Sequence, residues 1–141
     1  MFSRLLFFLA LLWMGVVAEN LSDNQDVKTF VEEHIADYDV MVFAKSYCGF
    51  CRRTKALLNE IHESMDESWT YGVVDLDLMT GEDGSLIQME LLARTNQRTV
   101  PSIWIGGVHI GGNSDLQTLH FEHEGLTPML QELADQHGED L

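Results

Sequence analysis

The sequence predicts a single α/β domain, and three observations indicate this class. Residues 40–44 (VMVFA) form a continuous apolar run of strand length, which is typical of a strand buried on both faces. Apolar residues at helical spacing separate this run from a second strand-like segment at residues 71–76 (YGVVDL). Gly106 and Gly107 then lie between two short apolar runs, as in a β-hairpin. A strand, a helix and a strand in succession predict a parallel crossover unit.

Length and composition agree with one domain of ordinary size. The chain has 141 residues, of which 45% are apolar, so it can bury a core, and it contains no repeats, low-complexity tracts or linkers. Eight Lys and Arg residues stand against 23 Asp and Glu residues, for a formal charge of −15. Attraction to nucleic acid or to an anionic membrane requires a basic face, so we expect no nucleic-acid partner.

The first residues differ from the rest of the chain. Residues 1–18 (MFSRLLFFLALLWMGVVA) predict a secretory signal peptide, with Arg4, an apolar segment and small residues at Val16 and Ala18 before the expected cleavage. The apolar run is shorter than the roughly 20 residues of a spanning helix, so an uncleaved anchor is the weaker alternative and no membrane association is expected after cleavage. The mature domain would cover residues 19–141 in the secretory pathway, in the endoplasmic reticulum or Golgi lumen or outside the cell. We interpret residues 137–141 as a solvated tail rather than a retention signal.

The elements of the first half follow from hydrophobic periodicity. The first predicted helix, capped by Ser22 or Asp23, has its inward-facing positions at Val27, Phe30, Val31, His34 and Ile35. The helix after the strand at residues 40–44 has its apolar positions at Ala56, Leu57, Leu58, Ile61 and Met65. A third helix is predicted over residues 86–93, after Gly84 and Ser85.

The second half predicts a hairpin followed by one or two helices. The hairpin strands are residues 102–105 and 108–110. Ser114 and Asp115 can cap a helix that carries Leu116 and Leu119. Residues 127–128 (TP) are typical of the start of a final helix.

Cys48 and Cys51 are the two cysteines of the chain and lie between the strand at residues 40–44 and the next helix. A C-x-x-C pair at such a junction is typical of thiol–disulfide redox sites. At a helix N-terminus, free backbone N–H groups and the positive end of the helix dipole stabilise a thiolate on the first cysteine, and the second cysteine lies about one turn further on. We therefore predict that Cys48 is the attacking sulfur and Cys51 the resolving sulfur.

A zinc half-site and a pair of inert buried thiols are the alternative interpretations. Structural zinc requires about four ligands, and the chain has no second C-x-x-C motif. Among its six histidines, His120 and His123 alone are spaced as a ligand pair, and we interpret them as helix-surface residues. We expect no metal ion held by protein side chains alone.

The basic residues are unevenly distributed. Removal of residues 1–18 takes away Arg4 and leaves seven basic side chains. Six of the seven lie within seven positions of the cysteine motif or of Pro101, namely Lys45, Arg52, Arg53, Lys55, Arg94 and Arg98. If the two segments meet in space, they form an electropositive site that stabilises a thiolate and attracts an anionic thiol. The alternative is a set of ordinary solvated helix ends, and we favour the electropositive site.

Over about residues 25–136 the chain resembles the glutaredoxin family. The segments that carry the resemblance, in order and spacing, are Lys45-Ser-Tyr-Cys-Gly-Phe-Cys51, Gln88, Gln97-Arg98-Thr99-Val100-Pro101 and Gly111-Gly112-Asn113-Ser114-Asp115. The resemblance implies a thioredoxin-like fold, with a four-stranded mixed β-sheet flanked by helices, and glutathione as co-substrate. The two cysteines place the chain among the dithiol members.

The resemblance also implies a role for each site residue. Cys48 would be the nucleophile, and Pro101 would be a cis-proline that faces it. Thr99 and Val100 would pair with the glutathione backbone. The glycyl end of glutathione would be bound by Lys45, Tyr47 and Gln88, and the γ-glutamyl end by Asn113, Ser114 and Asp115. A helix N-terminus binds carboxylates and an aspartate binds an ammonium group, so the last assignment is physically reasonable.

Two departures from the family pattern affect this interpretation. Many dithiol members have C-P-Y-C, whereas Gly49 and Phe50 resemble the C-G-F-S motif of the cluster-binding monothiol class. Cys51 in place of serine, and the absence of extra residues before Cys48, separate the chain from that class. Some members without the proline hold a [2Fe–2S] cluster between two protomers, with a cysteine and a glutathione thiol from each side, which meets the need for four sulfurs. Asn113 stands where many members have cysteine.

The expected function is therefore that of a glutathione-dependent thiol–disulfide oxidoreductase. It would reduce glutathionylated mixed disulfides and protein disulfides, so its expected partners are glutathione and proteins in these states. A cluster-binding carrier or sensor is the alternative, and we expect a monomer that dimerises only with a cluster. A reductase similar to thioredoxin or protein disulfide isomerase fits less well, because it would favour Trp before the first cysteine and lack the Gly-Gly-x-Ser-Asp segment.

Overall fold

Four strands form one mixed sheet at the centre of the computed structural model, which describes residue 21 and residues 23–139. The strands are β1 (Val40–Ala44), β2 (Tyr71–Asp75), β3 (Ser102–Ile105) and β4 (Val108–Gly111). Their spatial order is β2-β1-β3-β4, with β1 parallel to β2, antiparallel to β3, and β3 antiparallel to β4. The sheet and the parallel crossover are those that the sequence predicts.

The described residues also form five α-helices and one 3₁₀ turn. The helices are α1 (Asn24–Asp37), α2 (Gly49–Ser64), α3 (Asp83–Thr95), α4 (Asn113–Phe121) and α5 (Leu126–Glu139), and the 3₁₀ turn is Leu76–Leu78. The hairpin prediction is confirmed, since Gly106 and Gly107 join β3 and β4 with φ values of 56° and 78°. Positive φ at both central residues is the geometry of a tight two-residue hairpin turn, which glycine adopts without steric cost.

The central strand β1 is buried along its whole length because helices cover both faces of the sheet. Val40, Val42 and Ala44 pack in a cluster with side chains from α2, α4 and α5. Met41 and Phe43 face the other side and pack with side chains from α1 and α3. Alternate residues of a strand point to opposite faces of the sheet, so the side chains of a continuous apolar run pack against the helices on both faces.

Helix α3 begins at Asp83, three residues before the start that the sequence predicts. Gly84 lies in its first turn, against the 3₁₀ turn, and a Cβ at this position would lie 1.9 Å from the Leu76 carbonyl oxygen. Gly84 is therefore a residue of the helix and does not precede it, and it is the point where the helix backbone closely approaches the backbone of the 3₁₀ turn. The second strand is also one residue shorter than expected, because Leu76 belongs to the 3₁₀ turn.

The start of α4 differs from the expectation as well. Gly112 is the N-cap, and Asp115 lies in the first turn, where its Oδ2 accepts a hydrogen bond from the Gly112 N–H at 2.8 Å. The N-cap therefore lies two residues before Ser114, so neither Ser114 nor Asp115 is the N-cap residue, although the Asp115 side chain takes part in the cap from the first turn. At α1 the predicted cap is confirmed at Asp23, whose Oδ1 accepts from the Gln25 N–H at 3.3 Å.

The predicted signal peptide at residues 1–18 lies outside the described residues, as do the last two residues of the tail. Within the part of the chain that is described, no helix has the length and apolar character needed to cross a bilayer.

Candidate active site

Cys48 occupies the junction between β1 and α2 and caps the helix with its own sulfur. Its backbone is extended, and its Sγ accepts a hydrogen bond from the Cys51 N–H at 3.2 Å. The Cys48 N–H donates to the Lys45 carbonyl oxygen at 3.1 Å, which closes the turn before the helix. The Cys51 N–H and the N-terminal end of α2 thus place partial positive charge beside the Cys48 sulfur.

Cys51 is in a different environment, although it lies only three residues further along the chain. Its side chain is fully buried, whereas Cys48 is half-buried. Burial, and then the hydrogen bond with Cys48, raise the pKa of the Cys51 thiol to about 12. Cys51 is therefore a protonated thiol at neutral pH, and Cys48 is the sulfur that a substrate in solution can reach.

The turn that carries Cys48 is anchored from outside the helix. The Ser46 N–H donates to Asp77 Oδ1 at 2.8 Å, and the Ser46 hydroxyl donates to the second oxygen of the same carboxylate. These hydrogen bonds hold the pKa of Asp77 below its ordinary value. The 3₁₀ turn after β2 thus fixes the turn before the active sulfur, a role that sequence reasoning did not assign to Asp77.

The loop before β3 contains the cis peptide bond that the family resemblance implies, between Val100 and Pro101. The Val100 carbonyl oxygen lies 3.8 Å from Cys48 Sγ. The loop therefore passes beside the sulfur, and residues that lie 52 positions apart in the sequence face each other.

A surface cavity of about 470 Å³ lies between this loop, the start of α2 and the start of α4. Its lining residues are Phe50, Gln97, Thr99, Val100, Gly112, Asn113, Ser114 and Asp115. Five of them are site residues that the sequence predicts: Thr99, Val100, Asn113, Ser114 and Asp115. The tertiary structure thus brings together two motifs that are separated by β3 and β4.

A buried hydrogen bond between α2 and α4 holds Asn113, which is one of the residues that line the cavity. The Thr54 hydroxyl is fully buried and donates to Asn113 Oδ1 at 3.1 Å. Because this bond uses the amide oxygen of Asn113, its amide NH₂ is the group left to address a ligand. Nothing in the sequence pattern marks Thr54 for this role.

The other six predicted site residues lie outside the cavity lining, and they are the two cysteines, Pro101, Lys45, Tyr47 and Gln88. Tyr47 is 69% exposed beside Cys48, and Lys45 lies at the end of β1 with its side chain half-buried. Gln88 lines a neighbouring depression of about 230 Å³, and its Nε2 donates to the Arg98 carbonyl oxygen at 3.0 Å.

The predicted electropositive site requires a correction, because two of its six members are neutralised. Arg94 forms ion pairs with Glu90 at 2.6 Å and with Glu32 of α1 at 2.8 Å, so it does not contribute a free charge. Lys55 pairs with Asp75 at 2.6 Å. Arg52, Arg53 and Arg98 are exposed and form no ion pair within the described residues. The Arg53 guanidinium lies 5.6 Å from the centre of the Phe50 ring, at the edge of the cavity.

Among the described residues, no group of three or more His, Cys, Asp or Glu side chains is arranged to hold a metal ion. His120 lies in α4, half-buried, and His123 is exposed beyond the end of that helix.

The four-stranded mixed sheet flanked by helices is a thioredoxin-like fold. The Cys-x-x-Cys pair lies at the start of a helix beside a cis-proline loop, and this arrangement defines a dithiol redox site. Residues 40–110 match the protein-family model described as Glutaredoxin. The chain belongs to the glutaredoxin family.

Individual relatives agree with this assignment. The chain is 43% identical over 101 residues to glutaredoxin-C4, chloroplastic, of Oryza sativa subsp. japonica, covering 72% of this chain and 69% of that protein. It is 40% identical over 104 residues to the glutaredoxin of Ricinus communis, covering 74% of this chain and 93% of that protein. A crystal structure of the buckwheat glutaredoxin–glutathione complex is similar with a TM-score of 0.69 and 33% identity, covering 82% of this chain and 96% of that chain.

Proposed function

We propose that this chain is a glutathione-dependent thiol–disulfide oxidoreductase that reduces glutathionylated mixed disulfides and protein disulfides. The observation that carries the proposal is the asymmetric sulfur pair beside the cavity. Cys48 is accessible at a helix N-terminus, whereas Cys51 is buried and protonated. The similarity to a buckwheat glutaredoxin that binds glutathione supports glutathione as the co-substrate.

The monothiol reaction needs Cys48 alone. Its thiolate attacks the glutathione sulfur of a mixed disulfide, so that a new bond forms between Cys48 and glutathione and the substrate leaves as a thiolate that takes up a proton. The thiolate of a second glutathione molecule then attacks the glutathione sulfur on Cys48. This step releases glutathione disulfide and restores the Cys48 thiolate.

The dithiol reaction adds Cys51. When Cys48 attacks a protein disulfide, the product is a mixed disulfide between Cys48 and the substrate. The Cys51 thiol then loses its proton and attacks Cys48, which releases the second substrate thiol and leaves a Cys48–Cys51 disulfide. Two glutathione molecules reduce that disulfide.

The cavity provides a physically suitable site for glutathione. In this proposal the first backbone N–H groups of α4, around Asn113 and Ser114, would receive the γ-glutamyl carboxylate, and the Asp115 carboxylate would receive its ammonium group. The backbone of Thr99 and Val100 would pair with the peptide portion. Lys45, Tyr47 and Gln88 would address the glycyl end.

Two serine variants test the proposed chemistry. Cys48→Ser should abolish glutathione-dependent turnover, because it removes the attacking sulfur. Cys51→Ser should retain deglutathionylation of a mixed disulfide and lose the reduction of a protein disulfide. Steady-state rates on a glutathionylated peptide and on a disulfide-bonded protein check both statements. Equal loss of both activities in the two variants would contradict the roles assigned to the sulfurs.

A second candidate function, [2Fe–2S] cluster binding between two copies, is favoured by Gly49. This glycine replaces the proline of many dithiol members, and a Cβ at its position would meet nothing within 4 Å. A [2Fe–2S] cluster needs four sulfur ligands. One chain offers only one accessible sulfur, that of Cys48, because Cys51 is fully buried. Two copies of Cys48 and two glutathione thiols would complete the set. Purification under anaerobic conditions with glutathione distinguishes the candidates, because a coloured dimer supports cluster binding and a colourless monomer opposes it.

The pattern of residues 1–18 supports a further proposal, that the protein works in the lumen of the secretory pathway. Mass spectrometry of the protein recovered from a eukaryotic secretory host tests it. A mature chain that begins at Glu19 agrees with the proposal, and an intact N-terminus on a protein that stays in the cytosol contradicts it.

A further inference from the structure

The Gln97 side chain connects the cis-proline loop to strand β4. Its Nε2 donates to the Thr99 carbonyl oxygen at 2.9 Å and to the Pro101 carbonyl oxygen at 2.8 Å. Its Oε1 lies 3.0 Å from Nε2 of His109. Both hydrogens of the amide and its oxygen therefore have partners, and the side chain is held in one orientation.

These partners determine which atom donates in each bond. Carbonyl oxygens only accept hydrogen bonds, so the amide nitrogen of Gln97 must face Thr99 and Pro101, and the amide oxygen must face the histidine. His109 Nε2 is then the donor. Burial lowers the pKa of His109, against the opposing charge of Asp115, so the ring is neutral at pH 7 and carries its single proton on Nε2. The ring is also packed against Trp104, with 4.9 Å between the ring centres.

The two carbonyls that Gln97 holds are those on either side of Val100. The Val100 carbonyl is not bonded to Gln97 and lies 3.8 Å from Cys48 Sγ. The Gln97 amide thus binds the carbonyls of the two residues that flank Val100. The backbone of Val100 itself is left to face the Cys48 sulfur and the cavity. Gln97 itself lines that cavity, whereas His109 lies behind it on β4.

We propose that Gln97 and His109 are positioning residues that hold the loop of residues 99–101 in the orientation in which Val100 pairs with the glutathione moiety of the substrate. The inference rests on the proposed function. His109 acts through Gln97, since its Nε2–H fixes which end of the amide faces the loop. The loop would be positioned before the substrate arrives, so the pair contributes to substrate binding and leaves the sulfur chemistry unchanged.

Turnover of a glutathionylated peptide by the full-length mature protein tests the proposal. Gln97→Met keeps the length of the side chain and removes its hydrogen bonds. It should raise KM about 10-fold, as expected for the loss of about two hydrogen bonds, and leave kcat within about 2-fold of the wild type. His109→Phe keeps a ring against Trp104 but lacks the donor, and should raise KM by about 3-fold. His109→Gln restores an N–H donor and should return KM toward the wild-type value.

A matched control is Gln131→Met, which removes a glutamine hydrogen bond of 2.8 Å to Asp135 on the exposed side of α5. Its KM should equal that of the wild type. Unchanged KM in both Gln97→Met and His109→Phe overturns the inference while the proposed function stands. A parallel fall of kcat and rise of KM, without rescue by His109→Gln, also overturns it, because that result indicates a general structural role. A wild-type protein without glutathione-dependent turnover overturns the proposed function and this inference together.

Discussion

The two sulfurs of the active site are separated by a single helical turn and yet differ in burial and in hydrogen bonding. Cys48 lies at the helix cap, where the Cys51 N–H donates to its sulfur at 3.2 Å. Cys51 points into the core and has no exposed surface. The division of labour between the attacking and resolving sulfurs therefore follows from the position of each residue relative to the helix end.

This asymmetry predicts selective alkylation. Iodoacetamide at pH 8 should modify the native protein once, at Cys48, because burial raises the pKa of Cys51 to about 12 and excludes the reagent. Fragmentation mass spectrometry of the tryptic peptide that contains both cysteines identifies the modified residue. Modification of both cysteines after unfolding in guanidinium is the control. Native protein alkylated first at Cys51 would contradict the assignment.

At the scale of elements, the active site depends on contacts between backbones. The 3₁₀ turn holds the Ser46 turn through Asp77 and also receives the first turn of α3 at Gly84. Helix α3 carries Gln88 and leads directly into the cis-proline loop. The contact at Gly84 therefore helps to place both sides of the site.

Gly84→Ala should be strongly destabilising. The added Cβ would lie 1.9 Å from the Leu76 carbonyl oxygen, and backbone must move to relieve the contact. We expect the free energy of unfolding to fall by about 1–3 kcal/mol, as measured by urea denaturation. The control is Gly138→Ala in α5, where a Cβ meets nothing within 4 Å. This variant should be neutral or up to about 1 kcal/mol more stable, and an equal loss of stability in both variants would contradict the prediction.

At the scale of the whole molecule, three exposed arginines near the site carry charge opposite to the net charge of the chain. The formal charge is −15, and glutathione is itself an anion at neutral pH. Arg52, Arg53 and Arg98 are exposed and unpaired among the described residues, near the cavity and its loop. Screening over about 8–10 Å limits the effect of distant acidic residues, so nearby arginines decide the local potential.

Arg53→Glu should therefore lower kcat/KM for glutathione at low salt. The substitution changes the side-chain charge by two units. At about 10 Å from the glutathione anion in water, this change weakens the electrostatic attraction by roughly 0.8 kcal/mol, which corresponds to about a 4-fold decrease in kcat/KM. The decrease should largely disappear at about 1 M salt, where the Debye length is about 3 Å. Lys28→Glu makes the same charge change on an exposed residue of α1 and should have little effect. A decrease of the same size in both variants, or one that salt does not reduce, would show that local charge is not the cause.

Local patterns in the sequence correctly predict the strands, the hairpin and the position of the cysteines. A continuous apolar run such as residues 40–44 requires burial on both faces, and two adjacent glycines permit the hairpin turn, so these features depend on near neighbours. The start of α3, the cap at Gly112 and the ion pair of Arg94 with Glu32 were not predictable in this way. The start of α3 and the ion pair depend on contacts with distant segments, whereas the cap at Gly112 is a local contact with Asp115 that a glycine, having no side-chain acceptor, does not indicate in the sequence.

The sequence by itself determined the order of the elements and the presence of a reactive cysteine pair at a helix start, because hydrophobic periodicity and helix capping act over a few residues. The tertiary structure alone decided that Cys51 is buried, that Thr54 is bonded to Asn113, and that Gln97 is held by His109. Those relations depend on desolvation and on hydrogen bonds between segments that meet only when the helices pack on the sheet.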